Sequence, residues 1–186
     1  TEENAETKQI LRLIYRNADR LLKLVNQLLD FRKIDVQGDT LVLSTGDIVP
    51  FVRDVAYSFK ELSEQKHIRF SFSSVFTSLP MRFDTDKVFK IVSNLLSNAF
   101  KFTPEGGMIT VTLSLLPDKE GRNKLLIEVS DSGIGIPADK QEAIFDRFYQ
   151  VSSSDKGNPV MGTGIGLHLC REFVRMHQGS IAIKSQ

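Results

Sequence analysis

A short acidic and glycine-rich motif constrains this chain more than any other feature. It reads D-S-G-I-G-I-P at residues 131–137 and directly follows the apolar run 125–129, which predicts a buried strand. The Asp131 carboxylate can accept a hydrogen bond from an exocyclic amine such as that of adenine. Gly133 and Gly135 allow the backbone to approach a flat ring or a phosphate. The motif therefore predicts the floor of a nucleotide pocket.

Two further motifs offer groups suited to a triphosphate. The sequence G-T-G-I-G-L at residues 162–167 opens a helical pattern, and successive amides at a helix N-terminus bind phosphate. In the helical pattern of residues 84–102, the spacing of Asn94, Asn98 and Lys101 places them on one face. Carboxamide oxygens suit Mg²⁺ and an ammonium suits phosphate, so ATP with Mg²⁺ is the predicted ligand. Ordinary surface polarity of the two asparagines is the alternative.

A dinucleotide fold is the competing interpretation of the first glycine motif. Gly133, Gly135 and Ala138 fit G-x-G-x-x-A after a strand, but such a fold needs an acid at the end of the next strand, roughly 20 residues on. The candidate acid, Asp155, lies in the loop sequence S-S-S-D-K-G-N-P, which disfavours this fold. The sequence G-x-x-x-x-G-K-[ST] does not occur, which excludes a P-loop.

Length, charge and cysteine content exclude several classes of protein. The chain has 186 residues, enough for one domain of ordinary size and an appended element. Its net charge of +1 gives no electrostatic support for nucleic acid or an anionic membrane as a partner, and no apolar run reaches the ~18 residues of a membrane span. The single Cys170 lies among Leu167, Leu169 and Phe173, which predicts a buried thiol and a reducing compartment.

The N-terminal segment carries a heptad pattern. Its apolar residues recur in alternating steps of three and four, at Leu11, Ile14, Ala18, Leu21, Val25 and Leu28. Further apolar residues widen this stripe, which favours a bundle-forming helix that ends near residues 34–36. An ordinary amphipathic surface helix is the alternative.

The rest of the chain mixes helical patterns with alternating strands. Asp84 is the predicted N-cap of the asparagine-bearing helix, and residues 104–107 are a predicted turn. One sheet covered on one face by helices places the domain in the α+β class, as an α/β sandwich. Strands are predicted over residues 40–44, 67–75, 81–83, 108–116, 124–130 and 180–184, and helices over residues 46–65, 84–102 and 162–177.

Four motifs in this order resemble the asparagine, first glycine, phenylalanine and second glycine boxes of sensor histidine kinases. They are N-L-L-S-N-A-F-K-F-T at residues 94–103, D-S-G-I-G at 131–135, I-F-D-R-F at 144–148 and G-T-G-I-G at 162–166. The resemblance covers about residues 8–184. It extends to the wider Bergerat-fold ATPase family of gyrase, Hsp90 and MutL, and residues 28–33 are similar to hybrid two-component sensors in particular.

The resemblance implies a fold and a division of the chain. The fold is a Bergerat-fold α/β sandwich, with a mixed, largely antiparallel sheet and helices on one face, preceded by one long bundle-forming helix. Residues 1–37 would be the second helix of the dimerisation and phosphotransfer domain. Residues 38–186 would be the catalytic ATP-binding domain without the closing C-terminal strand of the family.

The resemblance also implies roles for single residues. Asn98 would ligate Mg²⁺, Asn94 would support the triphosphate site, and Lys101 would contact phosphate. Asp131 would accept a hydrogen bond from the adenine amine, and residues 137–161 would form a mobile lid. The lid would be anchored by Phe145 and Phe148, for which ordinary core packing is the alternative. The other residues of the implied ATP site are Phe102, Gly133, Gly135, Ile136, Ile144, Gly162, Thr163, Gly164, Ile165, Gly166 and Leu167.

One position favours phosphoryl transfer over hydrolysis. The ATP-hydrolysing relatives place a glutamate one turn before the metal asparagine, where it activates water. This chain has Asn94 there, and a neutral amide is a poor base. His67, His168 and His177 are not followed by an acid, as the family's acceptor is. We therefore expect the acceptor histidine outside this chain, with His67 at a strand edge, His168 on a helix face in packing or in solvent, and His177 at a favourable dipole position.

The predicted function is that of the ATP-binding catalytic domain of a sensor histidine kinase in two-component phosphorelay signalling. The expected partners are its own dimerisation and phosphotransfer helices, in a homodimer of the full-length protein, and a response-regulator receiver domain. The expected location is the cytoplasmic portion of an inner-membrane sensor, with no nucleic acid and no membrane contact of its own. An ATP-hydrolysing switch and a non-enzymatic scaffold with a degenerate pocket are the alternatives.

Overall fold

The computed structural model describes residues 2–37, 40–117, 121, 123–150 and 163–185. Helices and strands are mixed along the chain, as the α+β prediction requires. The elements are α1 (Glu2–Gln37), β1 (Ser44–Asp47), α2 (Ile48–Tyr57), α3 (Lys60–Gln65), β2 (Arg69–Ser74), β3 (Pro80–Phe83), α4 (Thr85–Phe102), β4 (Met108–Pro117), β5 (Asn123–Asp131) and α5 (Gly166–Met176), with 3₁₀ turns at Ala138–Lys140 and Ala143–Phe145.

The strands form two ladders instead of the single predicted sheet. In the larger one, β4 pairs in parallel with β2 and antiparallel with β5, whereas β1 and β3 pair only with each other. Asp47, at the end of β1, holds the segment before β3, because its carboxylate accepts hydrogen bonds from the Leu79 amide at 3.0 Å and from the Ser78 hydroxyl. The backbone that enters β3 is therefore bonded to a side chain at the end of β1.

Three predicted elements differ from the structure. The strand predicted at residues 40–44 begins only at Ser44, because the Val42 amide donates to Asp84 Oδ2 at 2.8 Å. The helix predicted over residues 46–65 begins only at Ile48, because Gly46 and Asp47 belong to β1. It is also broken after Tyr57, where the Ser58 hydroxyl donates to Val55 O at 2.7 Å and competes with the backbone.

The strand predicted over residues 180–184 is the third difference. In the described chain, residues 180–185 pair with no strand. The Ser185 side chain instead accepts a hydrogen bond from the Ile136 amide at 2.8 Å. This segment is therefore held at the end of the first glycine motif through a side chain and not through a ladder.

The main core lies between the larger sheet and helices α2 and α4. Alternate residues of β4, namely Ile109, Val111 and Leu113, are completely buried, as a strand with one covered face requires. Leu96 and Phe100 of α4 pack against them. Burying side chains of this size contributes about 1.5–3 kcal/mol each, so this contact fixes α4 firmly over the sheet.

A second, smaller core joins α5 to α4 and to the end of α1. Its buried members are Ile91, Ile165, Leu169, Cys170 and Phe173, with Phe31 and Ile34 of α1 packed against them. Most of the α1 stripe lies outside this contact, and its apolar residues are exposed. Within the described residues, no helix combines the length and hydrophobicity that a bilayer crossing requires.

Candidate nucleotide site

Helix α4 provides the platform on which the other motifs pack. Asp84 is its N-cap, as predicted, and accepts a hydrogen bond from the Lys87 amide at 3.0 Å. The helix ends at Thr103, whose amide still bonds to Ala99 O, because Pro104 follows and disfavours helical backbone at the residue before it. Two carboxamides, Asn94 and Asn98, lie on this helix and are both partly buried.

The first glycine motif packs against the C-terminal end of α4. A β carbon on Gly133 would lie 2.9 Å from Phe102 O and 2.5 Å from Asp131 Oδ1, so only glycine fits there. The register pairs Asp131 with the buried Ile109, which places the two side chains on the same face of the sheet. Asp131 Oδ1 accepts from the Gly133 amide at 2.9 Å. This leaves the second carboxylate oxygen without a partner among the described residues.

The second glycine motif packs against the middle of α4. A β carbon on Gly166 would lie 2.5 Å from Asn94 Oδ1 and 2.7 Å from its Nδ2. One turn further along α5, Cys170 Sγ accepts a hydrogen bond from Asn94 Nδ2 at 3.1 Å. The structure therefore brings the asparagine motif and the second glycine motif into direct contact.

The N-terminus of α5 has no side-chain cap among the described residues, in contrast to α2 and α4 with their aspartate caps. The Thr163 hydroxyl accepts from the Ile165 amide at 3.2 Å, and Gly164 has a φ of +69°. The first amides of a helix have no partner within the helix, so this end can receive an anion.

The remaining predicted residues surround these two contacts. Lys101 is exposed, with its ammonium 4.8 Å from the centroid of the Phe102 ring, and partial burial lowers the pKa of its amine. Ile144 is buried, whereas Ile136 and Leu167 are half-buried. Gly135, Gly164 and Phe148 all have positive φ, and those of the two glycines are +72° and +69°. Gly162 and residues 151–161 of the predicted lid lie outside the described residues.

The comparisons with known proteins agree with this geometry. Residues 83–186 match the family described as histidine kinase-, DNA gyrase B- and HSP90-like ATPases. The chain belongs to this family. The sensor histidine kinase TmoS of Ectopseudomonas mendocina is 40% identical over 171 residues, which are 92% of this chain and 17% of TmoS. Hybrid signal transduction histidine kinase D of Dictyostelium discoideum is 37% identical over 187 residues, 98% of this chain and 12% of that protein.

Solved structures show the same relationship at the level of the fold. Full-length ShkA in complex with AMPPNP superposes with a TM-score of 0.77 at 26% identity, over 92% of this chain and 34% of that chain. The catalytic domain of histidine kinase ThkA gives a TM-score of 0.60 at 26% identity, over 73% of this chain and 81% of that chain. The Bergerat fold is thereby confirmed, and residues 83–186 are an ATP-binding catalytic domain of the histidine kinase type. The chain spans less than a fifth of the length of TmoS and of kinase D.

In this kinase domain, the phenylalanine box joins α5 through backbone atoms. Phe145 is buried and its carbonyl lies 3.3 Å from His168 Nδ1, while the Phe148 amide donates to Gly164 O at 2.9 Å. Phe148 itself is 60% exposed, and its ring centroid lies 6.3 Å from that of Phe31 on α1. The two phenylalanines therefore differ, since one is a core residue and the other contacts the bundle helix.

Each of the three histidines contacts other residues of the fold. His168 is buried, so only the packing half of its prediction is correct, while His67 is exposed beside Glu105. His177 Nδ1 lies 2.8 Å from Phe173 O, and its Nε2 accepts from the Asp84 amide at 3.2 Å. The second contact requires a neutral ring with the proton on Nδ1. His177 therefore lies at the C-cap of α5 and joins it to the N-cap of α4 through its two ring nitrogens.

Sequence reasoning missed residues that connect the motifs. Gln141 Nε2 donates to Ile136 O at 3.0 Å and to Ser185 O at 3.2 Å, so it holds the end of the first glycine motif. The Thr163 hydroxyl donates to Gln27 Oε1 of α1 at 2.9 Å. Both glutamines lie far in sequence from one of their partners, and no local pattern identifies them.

Proposed function

We propose that this domain binds Mg·ATP along α4 and presents the γ-phosphoryl group for transfer to a histidine outside these 186 residues. The main observation in support of this proposal is that the two glycine motifs pack on α4 at Asn94 and at Phe102. Eight residues of helix separate these points, a rise of about 12 Å, which is comparable with the length of an extended nucleoside triphosphate. Adenine would lie at the Asp131 end and the phosphates at the Asn94 end.

The residues present fit a Mg²⁺ ion that is shared with the triphosphate. Mg²⁺ takes oxygen ligands and is often held by one or two protein groups together with substrate phosphates. Asn98 offers a carboxamide oxygen, and its side chain has no hydrogen-bond partner among the described residues. Asn94 lies one turn before it. When bound, the ion would neutralise charge on the phosphates, and Asn98 would be its protein ligand.

The chain's own groups then position the nucleotide. The uncapped amides of α5 and the Lys101 ammonium supply positive charge for the phosphates. The Asp131 oxygen that is not bonded to the Gly133 amide accepts a hydrogen bond from the adenine amine. Asn94 cannot take a proton from water as a carboxylate would, so the site holds ATP and does not activate water. Phosphoryl transfer depends mainly on such positioning and charge stabilisation.

The proposed role of the whole protein follows from its relatives. The chain would be the catalytic part of a two-component sensor of the hybrid type, acting in a phosphorelay. Residues 1–37 would belong to its dimerisation and phosphotransfer domain, and residues 38–186 to the catalytic domain. Its partners would be those helices, in a homodimer, and a response-regulator receiver domain, since a ThkA structure contains the response regulator TrrA. Its location would be the cytoplasmic side of an inner-membrane sensor.

Calorimetric titration with AMPPNP, with Mg²⁺ and with excess EDTA, tests the nucleotide site. We expect binding that Mg²⁺ strengthens. Asp131→Asn should weaken it about ten- to hundredfold, because one charge-assisted hydrogen bond is lost, while the melting temperature stays nearly constant. Glu128→Gln, on the opposite face of β5, is the matched control and should bind normally. Unchanged affinity in Asp131→Asn would remove Asp131 from the site.

Labelling with γ-³²P-ATP tests the transfer step. We expect no acid-labile phosphate on this chain alone, because none of its histidines precedes an acid. Steady release of inorganic phosphate would instead favour an ATP-hydrolysing switch. The absence of any nucleotide binding would favour a scaffold with a degenerate pocket.

A further inference from the structure

Asn94 of the proposed site is held against α5 by two residues, Gly166 and Cys170. Its carboxamide lies flat against Gly166, with Oδ1 at 2.5 Å and Nδ2 at 2.7 Å from the position of a β carbon there. Its Nδ2 donates to Cys170 Sγ at 3.1 Å. Gly166 and Cys170 are four residues apart and therefore lie on one face of α5.

The Cys170 thiol has a defined orientation of its own. It is 1% exposed and lies 3.8 Å from Ile91 O, to which its S–H donates. With its proton directed to Ile91, the sulfur presents a lone pair to Asn94. Burial raises the pKa of the thiol to about 11, against a smaller opposite effect of the Asn94 hydrogen bond. The group therefore keeps its proton at neutral pH and the chain of hydrogen bonds is retained.

This arrangement decides which atom of Asn94 can face a ligand. A carboxamide has one oxygen and one NH₂ group, which differ little in shape. Because Cys170 accepts an N–H of Asn94, the NH₂ group is directed along α5 to Cys170, and the oxygen lies against the first turn of that helix at Gly166, where a phosphate and its cation would bind. A rotated amide would leave the buried sulfur without its donor.

We propose that Cys170 and Gly166 are positioning residues for the proposed nucleotide site, and that they fix the carboxamide of Asn94 with its oxygen available to the Mg²⁺–phosphate group. The proposal rests on the proposed function for its ligand. The hold of Gly166 and Cys170 on Asn94, which we call the clamp, is a property of the free protein. Neither residue needs to touch the nucleotide through its side chain. The clamp also couples α4 to α5, so that the two halves of the triphosphate site move together.

The first test compares two substitutions of Cys170. Cys170→Val fills the same apolar space but cannot accept a hydrogen bond, whereas Cys170→Ser can. We expect Cys170→Val to lower the affinity for Mg·AMPPNP about five- to tenfold, the loss of one net hydrogen bond. The affinity for ADP in excess EDTA should stay unchanged, and Cys170→Ser should restore most of the Mg²⁺-dependent part. Equal losses in both titrations, or no loss, would overturn the proposal.

Two controls separate positioning from stability. Leu169→Val shortens a neighbouring buried side chain of α5 and should lower the melting temperature without changing either affinity. In an Asn94→Ala background, Cys170→Val should have no further effect, since its action passes through Asn94. Additive effects of the two substitutions would contradict the clamp.

A second measurement needs no nucleotide. The ¹⁵N side-chain amide signals of Asn94, assigned from their loss in Asn94→Ala, should exchange slowly with water in the wild-type chain. They should exchange about tenfold faster in Cys170→Val and in Gly166→Ala. If the wild type binds no AMPPNP, the proposed function fails, but the exchange rates of the Asn94 amide protons still show whether the clamp exists. Exchange that is equally fast in all three proteins would disprove it.

Discussion

The Phe148 amide donates a hydrogen bond of 2.9 Å to the carbonyl oxygen of Gly164. The two residues belong to the phenylalanine box and the second glycine box, and this bond joins the boxes through backbone atoms alone. A β carbon at position 164 would lie 2.5 Å from the carbonyl carbon of Phe148, and Gly164 has a φ of +69°. Glycine is therefore required there for two reasons, backbone conformation and close approach.

We predict that Gly164→Ala destabilises the domain much more than Gly106→Ala. Gly106 has a similar φ of +78° but nothing within 4 Å of its β position, so alanine there costs only the left-handed strain, about 1 kcal/mol. At Gly164 the overlap with Phe148 adds about 1–3 kcal/mol. Urea denaturation gives both free energies of unfolding. Similar losses for the two variants would show that the close approach is relieved by a small shift.

Phe148 stores strain at this junction, because a bulky residue is unfavourable at its φ of +62°. Phe148→Ala and Phe148→Gly both remove the ring that contacts Phe31, but only glycine relieves the backbone. We therefore predict that Phe148→Gly is about 1 kcal/mol more stable than Phe148→Ala. Urea denaturation of the pair measures this difference. A less stable glycine variant would argue against a left-handed Phe148.

Asp84 and Lys87 form a buried ion pair at the start of α4. The two charged groups are 3.2 Å apart, and Asp84 also accepts from the Val42 amide. Burial alone would raise the pKa of Asp84, but the hydrogen bonds from Lys87 and Val42 outweigh it and hold the pKa below the usual 3.8. The folded state thus binds fewer protons than the unfolded state. The stability that ionised Asp84 contributes is present above pH 3.8, and it is lost as the pH falls through the lower pKa that Asp84 has in the folded state.

We predict that Asp84→Asn lowers the free energy of unfolding by about 3 kcal/mol at pH 7, because it removes the carboxylate charge 3.2 Å from the buried Lys87 ammonium. The difference from wild type should shrink as the pH falls below 4. His177 does not confound the comparison, since it bonds to the backbone of residue 84, which both proteins share. Asp86→Asn, which breaks only an exposed pair with Lys90, should cost under about 1 kcal/mol. A loss in Asp84→Asn that is independent of pH would contradict the ion-pair explanation.

The elements with local signals could be predicted from the sequence. Alternation in β4 and the apolar spacing of α4 follow from one covered face, and Asp84 is a residue type that caps helices. The break at Ser58 was missed because it depends on one side-chain bond to Val55 O. Propensity does not show such a competition, so the helix was extended to residue 65.

The site could be predicted as a set of residues but not as a set of contacts. The motifs indicated Asn94 and Gly166, yet their contact depends on how α5 crosses α4. The Cys170 bond to Asn94 spans 76 residues and the His177 bond to Asp84 spans 93. Such pairs depend on tertiary packing. The core position of Cys170 was predicted correctly, whereas its hydrogen bond to the site was not.

The last prediction concerns the exposed apolar stripe of α1. Leu21 and Leu28 occupy seam positions of the heptad pattern and are 62% and 50% exposed in the single chain. Burying each would contribute about 1.5–3 kcal/mol, so we expect the chain to self-associate through α1 in sedimentation experiments. Leu21→Lys with Leu28→Lys should give a monomer that still binds AMPPNP. Leu13→Lys is the control, because Leu13 is 58% exposed but lies outside the seam, and it should leave the oligomer intact. A wild-type chain that stays monomeric at high concentration, or a Leu13 variant that dissociates equally, would refute a heptad seam and favour an ordinary surface helix.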